Sequence, residues 1–320
     1  MTTLPTLYDY YTAGGITTGL SATQNYFTLN NKNISLYSGS LHYFRVPQEY
    51  WRDRLRKMKA AGLNAVDTYV PWNLHEPEIG NYDFGHGGSD MQEFLNLETF
   101  LRTAQEEDLL AIVRPGPYIC SEWEFGGLPS WLLREKDFEV RTSKPSFMKH
   151  VTRYFNVLLP ILAALQFTLG GPIIAFQVEN EYGAVKLWPF YDTDKVYLEQ
   201  LRQLNINNGI VELMLTSDNV VLHGDGGTLP KHFLMDSFYL KPYLLGCMWM
   251  KYNHILLFQP FVAFTSEYST KDSLFSPILY LAHFSFHGIA FRVLDADLHS
   301  EIRSNKTGAY EVGLQFDNFN

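Results

Sequence analysis

Cysteine is nearly absent from this chain: Cys120 and Cys247 are the only two in 320 residues. Neither belongs to a CxxC pair or to a Cys/His pattern with ligand spacing, so no structural zinc site is expected. The two thiols either pair with each other or stay free. No HExxH stretch offers a catalytic metal site. No GxGxxG follows the first apolar strand and no phosphate loop is present, which argues against an open doubly wound sheet. Gly85-His86-Gly87-Gly88 precedes no suitable unit and reads as a plain turn. Basic residues are outnumbered, 25 against 34 acidic, for a net charge of −9. That balance disfavours nucleic acid and anionic membrane surfaces, which call for basic patches. Long apolar runs are missing too. Leu244 to Phe264 is interrupted by Lys251 and His254, so no membrane span is expected. Met1-Thr2-Thr3-Leu4-Pro5 lacks the basic and apolar regions of a signal peptide. Internal repeats and low-complexity segments are absent.

What is present is apolar and aromatic. Hydrophobic residues make up 46% and aromatics 15% of the chain, enough for a large core with some rings left over for a cleft. The length suits one α/β barrel, which takes about 250 residues. Short apolar strands alternate with amphipathic helices, the pattern of a parallel α/β fold. Strands are predicted at 36–43, 64–70, 109–113, 173–178, 213–216, 233–238 and 261–265. Helices are predicted over 48–61, after a capping box at Asp90 and Glu93, over 147–165, and around Tyr197, Leu201 and Leu204. The expected organisation is an N-terminal arm, residues 1–33, followed by a (β/α)8 barrel, residues 34–320. An open doubly wound sheet is the competitor.

The chemistry gathers at strand ends. Ile173 to Val178 is a strand buried on both faces that breaks into Glu179-Asn180-Glu181-Tyr182-Gly183. Barrel strands deliver catalytic groups at their C-terminal ends in this way. Glu181 is the first catalytic candidate. Glu267, in Thr265-Ser266-Glu267-Tyr268, is a second carboxylate at the end of an apolar run. Two carboxylates on different strands of one barrel suit glycoside hydrolysis, and a separation of roughly 5 Å would make it retaining. Glu179, pointing opposite to its neighbours, reads as a salt-bridge partner. His42 and His75 read as hydrogen-bonded wall residues rather than metal ligands. The long loop from Arg114 to about Arg141, rich in Gly, Pro and Trp, has the length of a functional loop. Trp123 beside Glu122 suits a sugar platform, while Trp72 and Trp131 suit the core.

Several stretches together resemble glycoside hydrolase family 35, the β-galactosidases of the animal lysosomal type, from residue 25 to about 220. They are Ser38-Gly39-Ser40-Leu41-His42-Tyr43-Phe44-Arg45, then Thr68 to Pro77, Arg114 to Trp123, Gly126 to Leu132 and Gly170 to Gly183, with Leu215-Thr216-Ser217-Asp218 also fitting. The resemblance implies a retaining exo-enzyme that removes terminal β-linked galactose from glycans without a cofactor. It implies a proton donor at Glu181, a 2-hydroxyl contact at Asn180, and galactose hydrogen bonds from Tyr69, from the backbone of Ser121 and from Glu122. It places the nucleophile at Glu267, although Ser269-Thr270-Lys271-Asp272 replaces the aromatic run that usually follows. It implies a lysosomal or extracellular setting. Beyond about residue 275 the resemblance fades, so the expected barrel is one without a recognisable eighth strand. A β-glycosidase of other sugar specificity, or an inactive glycan-binding relative, are the alternatives.

A carboxylate that accepts sugar hydroxyls gives specificity, because a misplaced hydroxyl leaves it unpaired. Glu122→Ala is therefore expected to blunt discrimination between aryl galactosides and aryl glucosides. An unchanged ratio of the two activities would remove Glu122 from the sugar site.

Overall fold

The computed structural model describes residues 5–22, 26–185, 193–217 and 229. Its centre is a parallel sheet of β4 (Ser38–Ser40), β5 (Ala65–Tyr69), β6 (Leu110–Gly116), β7 (Ile173–Val178) and β8 (Leu213–Leu215), each paired with the next in chain order. A doubly wound sheet reverses its strand order part-way across. Among the described residues this one does not, and five consecutive parallel strands with intervening helices are the build of a (β/α)8 barrel. The strands predicted at 233–238 and 261–265 lie outside the described residues, as do Cys247 and Glu267.

The helices follow from apolar periodicity. In α2 (Gln48–Ala60), Trp51, Leu55 and Met58 are buried on one face, and the chain leaves it through Gly62 at φ +90°. That is the left-handed turn favoured by glycine after a helix. The short helix α3 (Trp72–His75) follows β5 directly. The helix α4 (Leu97–Glu106) buries Leu97, Phe100, Leu101 and Ala104. Its cap is not the expected Asp90. The Asn96 side chain accepts from the Thr99 backbone N–H at 3.0 Å, and Gln92–Phe94 is a separate 3-10 turn. Asn is as good a cap as Asp, and Asn96 stands directly before the apolar stripe. The helices α5 (Pro145–Ala163) and α6 (Lys195–Asn207) follow among the described residues. Each buried Leu or Phe contributes about 1.5–3 kcal/mol of transfer free energy, so these stripes fix which face of each helix meets the sheet.

The segment before the barrel is built rather than irregular. A short helix α1 (Leu7–Thr12) precedes an antiparallel sheet of β1 (Leu20–Ser21), β2 (Phe27–Leu29) and β3 (Lys32–Ile34). Asp108 holds the start of α1 by accepting from the backbone N–H groups of Leu7 and Tyr8, both at 2.9 Å. Tyr11, Leu20, Phe27, Leu29 and Ile34 pack with Ala65, Leu110, Ile112, Ile174 and Leu215 in one apolar cluster. The N-terminal segment thus closes the bottom of the sheet.

Alternation along the strands sets the other end. On one face β5 runs Ala65, Asp67, Tyr69, and the paired β6 runs Leu110, Ile112, Arg114. The series is apolar at the bottom and polar at the top. The fold therefore delivers its charged and hydrogen-bonding side chains at the C-terminal strand ends.

Candidate active site

Four strand exits and one loop build the mouth. Tyr69 is the last residue of β5 and pairs in register with Arg114 on β6. That register stacks the Arg114 guanidinium on the Tyr69 ring, 3.7 Å from its centroid. Arg114 is buried and reaches across to β7. It donates to Gln177 Oε1 at 3.0 Å, to the Ile119 carbonyl at 3.2 Å, and to Asn180 Oδ1. Burial pushes the Tyr69 hydroxyl pKa upward, against the pull of Arg114.

The exit of β7 is backbone under constraint. Glu179 and Glu181 both adopt left-handed conformations, φ 61° and 42°. Each costs a non-glycine residue on the order of 1–2 kcal/mol. Two devices hold them. The Glu181 N–H donates to the Ser217 carbonyl at 2.8 Å, tying β7 to the end of β8. The carboxylate of Glu179 is buried and receives Arg141 at 2.8 Å, the Tyr197 hydroxyl at 2.6 Å and the Asn180 backbone N–H at 2.9 Å. Glu179 is therefore the expected salt-bridge partner. Arg141 also donates to the Asn180 carbonyl at 2.5 Å and stacks on Tyr118, 3.9 Å from its centroid. With Glu179 turned inward, the reversal of the chain brings Glu181 out as an exposed side chain.

The β6 loop presents the other side. Cys120, Ser121 and Glu122 are three successive left-handed residues at φ 57°, 58° and 44°. Arg45 clamps them by donating to Ser121 Oγ at 3.3 Å, to the Ser121 carbonyl, and to the Glu122 carbonyl at 3.3 Å. Gly126 is held against Tyr118 so closely that a Cβ there would lie 2.0 Å from the ring. Ser121 is buried and Glu122 exposed. Trp123 is half-buried, donates its indole N–H to Asn73 Oδ1 at 3.1 Å, and meets Phe44 edge-on. Cys120 is a half-buried thiol with no disulfide partner among the described residues.

Other expected residues divide. His75 is a wall residue as expected. Its Nδ1 faces the Asp83 carbonyl at 2.7 Å, so Nδ1 carries the proton and Nε2 accepts from the Tyr43 hydroxyl at 2.5 Å. Burial lowers its pKa to about 4. Glu76 belongs to the wall rather than the mouth, for it is fully buried against Trp72, Gly80 and Arg153. His42 departs from the expectation: its Nδ1 is buried without a hydrogen-bond partner among the described residues. Its ring stacks on Phe44 and leans on Tyr69 instead, and burial next to Arg45 and Arg114 drops its pKa to about 3. Gly85 and Gly87 form a turn around the Asp83 carboxylate. Trp72 and Trp131 are core.

Sequence reading missed two residues. Arg141 lay at the edge of the long loop with nothing to distinguish it. Asp67 did carry a signal, an acid in the middle of an otherwise apolar strand. It lies buried one layer below Tyr69 and Arg114, and burial raises its pKa to about 6. Among the described residues no cluster of His, Cys, Asp or Glu could hold a metal ion. Nor is any helix of the described residues long and apolar enough to cross a membrane.

Similarity to known proteins agrees with this geometry. The profile of "Glycosyl hydrolases family 35" matches residues 26–260. The chain belongs to this family. It is 50% identical over 196 residues to "Beta-galactosidase-1-like protein 3" of Rattus norvegicus, covering 61% of this chain and 29% of that protein. It is 50% identical over 201 residues to "Beta-galactosidase-1-like protein 2" of Homo sapiens, covering 63% and 30%. To "Beta-galactosidase" of Felis catus it is 47% identical over 195 residues, covering 61% and 27%. The chain thus spans under a third of the length of these relatives. Family membership places the five described strands in a (β/α)8 barrel.

Two outcomes follow for stability. Arg141→Ala leaves the Glu179 carboxylate buried and unpaired, and is expected to lower the unfolding free energy by about 3–5 kcal/mol in urea titrations. A loss under about 1 kcal/mol, the range of exposed ion pairs, would show that solvent reaches the pair. Asp67 binds its proton more tightly folded than unfolded, so it costs stability as pH rises from its ordinary 3.8 to about 6. Asp67→Asn removes that cost. The variant is expected to gain on the wild type across this window and to run parallel above it. A stability difference flat with pH would contradict the buried, proton-holding Asp67.

Proposed function

We propose that this chain is a retaining exo-β-galactosidase that hydrolyses terminal β-linked galactose from glycans and needs no cofactor. Glu181 is the proton donor and Glu267, outside the described residues, is the nucleophile. The reading rests on one observation above all. Glu181 stands exposed at the exit of a buried barrel strand, its backbone held left-handed, directly after an Asn180 fixed by two arginines. The names of the relatives, β-galactosidase among them, support galactose as the sugar.

The steps follow from two-carboxylate chemistry. Glu181 gives its proton to the glycosidic oxygen as that bond breaks, and the aglycone leaves as an alcohol. The Glu267 carboxylate bonds to the anomeric carbon. Glu181, now ionised, takes a proton from water, whose oxygen attacks the anomeric carbon and frees Glu267. Tyr69, Ser121, Glu122 and Asn180 hold the sugar hydroxyls. Orienting residues of this kind convert binding into rate by fixing the attack geometry.

Glu181→Gln keeps shape and removes the proton. Galactosides with poor leaving groups are expected to lose rate on the order of 10²-fold or more, and activated aryl galactosides markedly less, because the latter need little protonation. Equal losses for both would remove Glu181 as the acid. In the same assay, faster turnover of another aryl β-glycoside would reassign the sugar. Tight galactose binding without turnover of any glycoside would instead mark a binding protein.

A further inference from the structure

We propose that Arg114 is a positioning residue that turns the Asn180 amide so that its carbonyl faces inward and its NH2 faces the substrate. The proposal rests on the galactosidase reading for the identity of the sugar, but its geometry stands apart from it. Asn and Asp side chains can accept, whereas a guanidinium only donates. The Asn180 atom that meets Arg114 must therefore be its oxygen. The rest of Asn180 is committed as well. Its backbone N–H donates to Glu179 Oε2 at 2.9 Å and its carbonyl accepts from Arg141 at 2.5 Å. What remains is the side-chain NH2, for which no partner stands among the described residues. The site thus offers the sugar a fixed donor, which selects a hydroxyl oxygen able to accept.

Arg114 suits this task better than lysine would. It is 3% exposed and spends its fork on three acceptors, Asn180, Gln177 and the Ile119 carbonyl. Its flat face carries Tyr69 at 3.7 Å. One rigid cation therefore sets the height of Tyr69 and the rotation of Asn180. A lysine keeps the charge and loses both the fork and the face.

Two comparisons on the full chain test this. The first is Asn180→Asp. If Arg114 donates to the amide oxygen, a carboxylate there meets the cation and the variant melts no lower than the wild type. Its kcat/KM on a nitrophenyl β-galactoside should nonetheless fall on the order of 100-fold, as for loss of one oriented donor. A melting temperature several degrees below wild type would overturn the orientation. The melting comparison reads the Arg114–Asn180 contact even if the wild type turns over no galactoside, a result that would sink the proposed function and, with it, the role of that contact in turnover. The second is a cycle of Arg114→Lys and Asn180→Ala. Arg114→Lys should cost at least about tenfold in kcat/KM when Asn180 is intact and less than about threefold in the Asn180→Ala background, because coupled residues are not additive. Equal losses in both backgrounds, with cooperative melts, would overturn action through Asn180. Should Arg114→Lys fail to fold, the Asn180→Asp comparison decides the proposal by itself.

Discussion

The buried pair of Arg141 and Glu179 is the contact on which the mouth of this barrel depends. A carboxylate taken out of water needs both an opposite charge and filled lone pairs to be tolerated. Glu179 has these from Arg141, the Tyr197 hydroxyl and the Asn180 N–H. Because Glu179 must point inward to reach them, the chain has to reverse at left-handed residues on either side of Asn180. That reversal leaves Glu181 exposed at the C-terminal end of the strand. A structural acid is thus what orients the proposed catalytic one, two residues away on the same strand exit.

The same logic extends across the mouth. Arg45 holds the left-handed run from Cys120 to Glu122 through backbone carbonyls, and Arg114 joins β5, β6 and β7 through Tyr69, the Ile119 carbonyl and Gln177. Three arginines therefore hold three strained or converging segments. Strain of this kind persists only where the surroundings over-determine it. At the bottom of the sheet an apolar cluster shared with the N-terminal segment closes the fold.

Much of this was legible in the sequence, for identifiable reasons. The strand at 173–178 was read to the residue, because it is apolar on both faces and bounded by Pro172 and Glu179. The helix at Gln48–Ala60 was plain from three apolar residues on one face and a terminal glycine. The first barrel strand was overread, since 36–43 contains only the three residues Ser38–Ser40 as strand. The chain then turns into a 3-10 segment at Tyr43–Arg45, which brings Arg45 to the β6 loop. The Asp90 cap was a local match that lost to Asn96, the residue in contact with the helix. Tyr69, Asn180 and Glu181 could be placed at strand ends from the sequence because polar residues after buried strands carry a positional signal. Arg141 could not, because its role comes from a contact 38 residues away in sequence, and no local pattern encodes such a meeting.

The central claim is a two-carboxylate retaining mechanism at the top of this barrel, and trapping its covalent intermediate tests it most directly. A 2-deoxy-2-fluoro galactoside with an activated leaving group slows release of the sugar from the nucleophile. After digestion, peptide mapping is expected to place the fluorosugar on Glu267. A label on Glu122 or Glu179, or no label at all, would contradict the account.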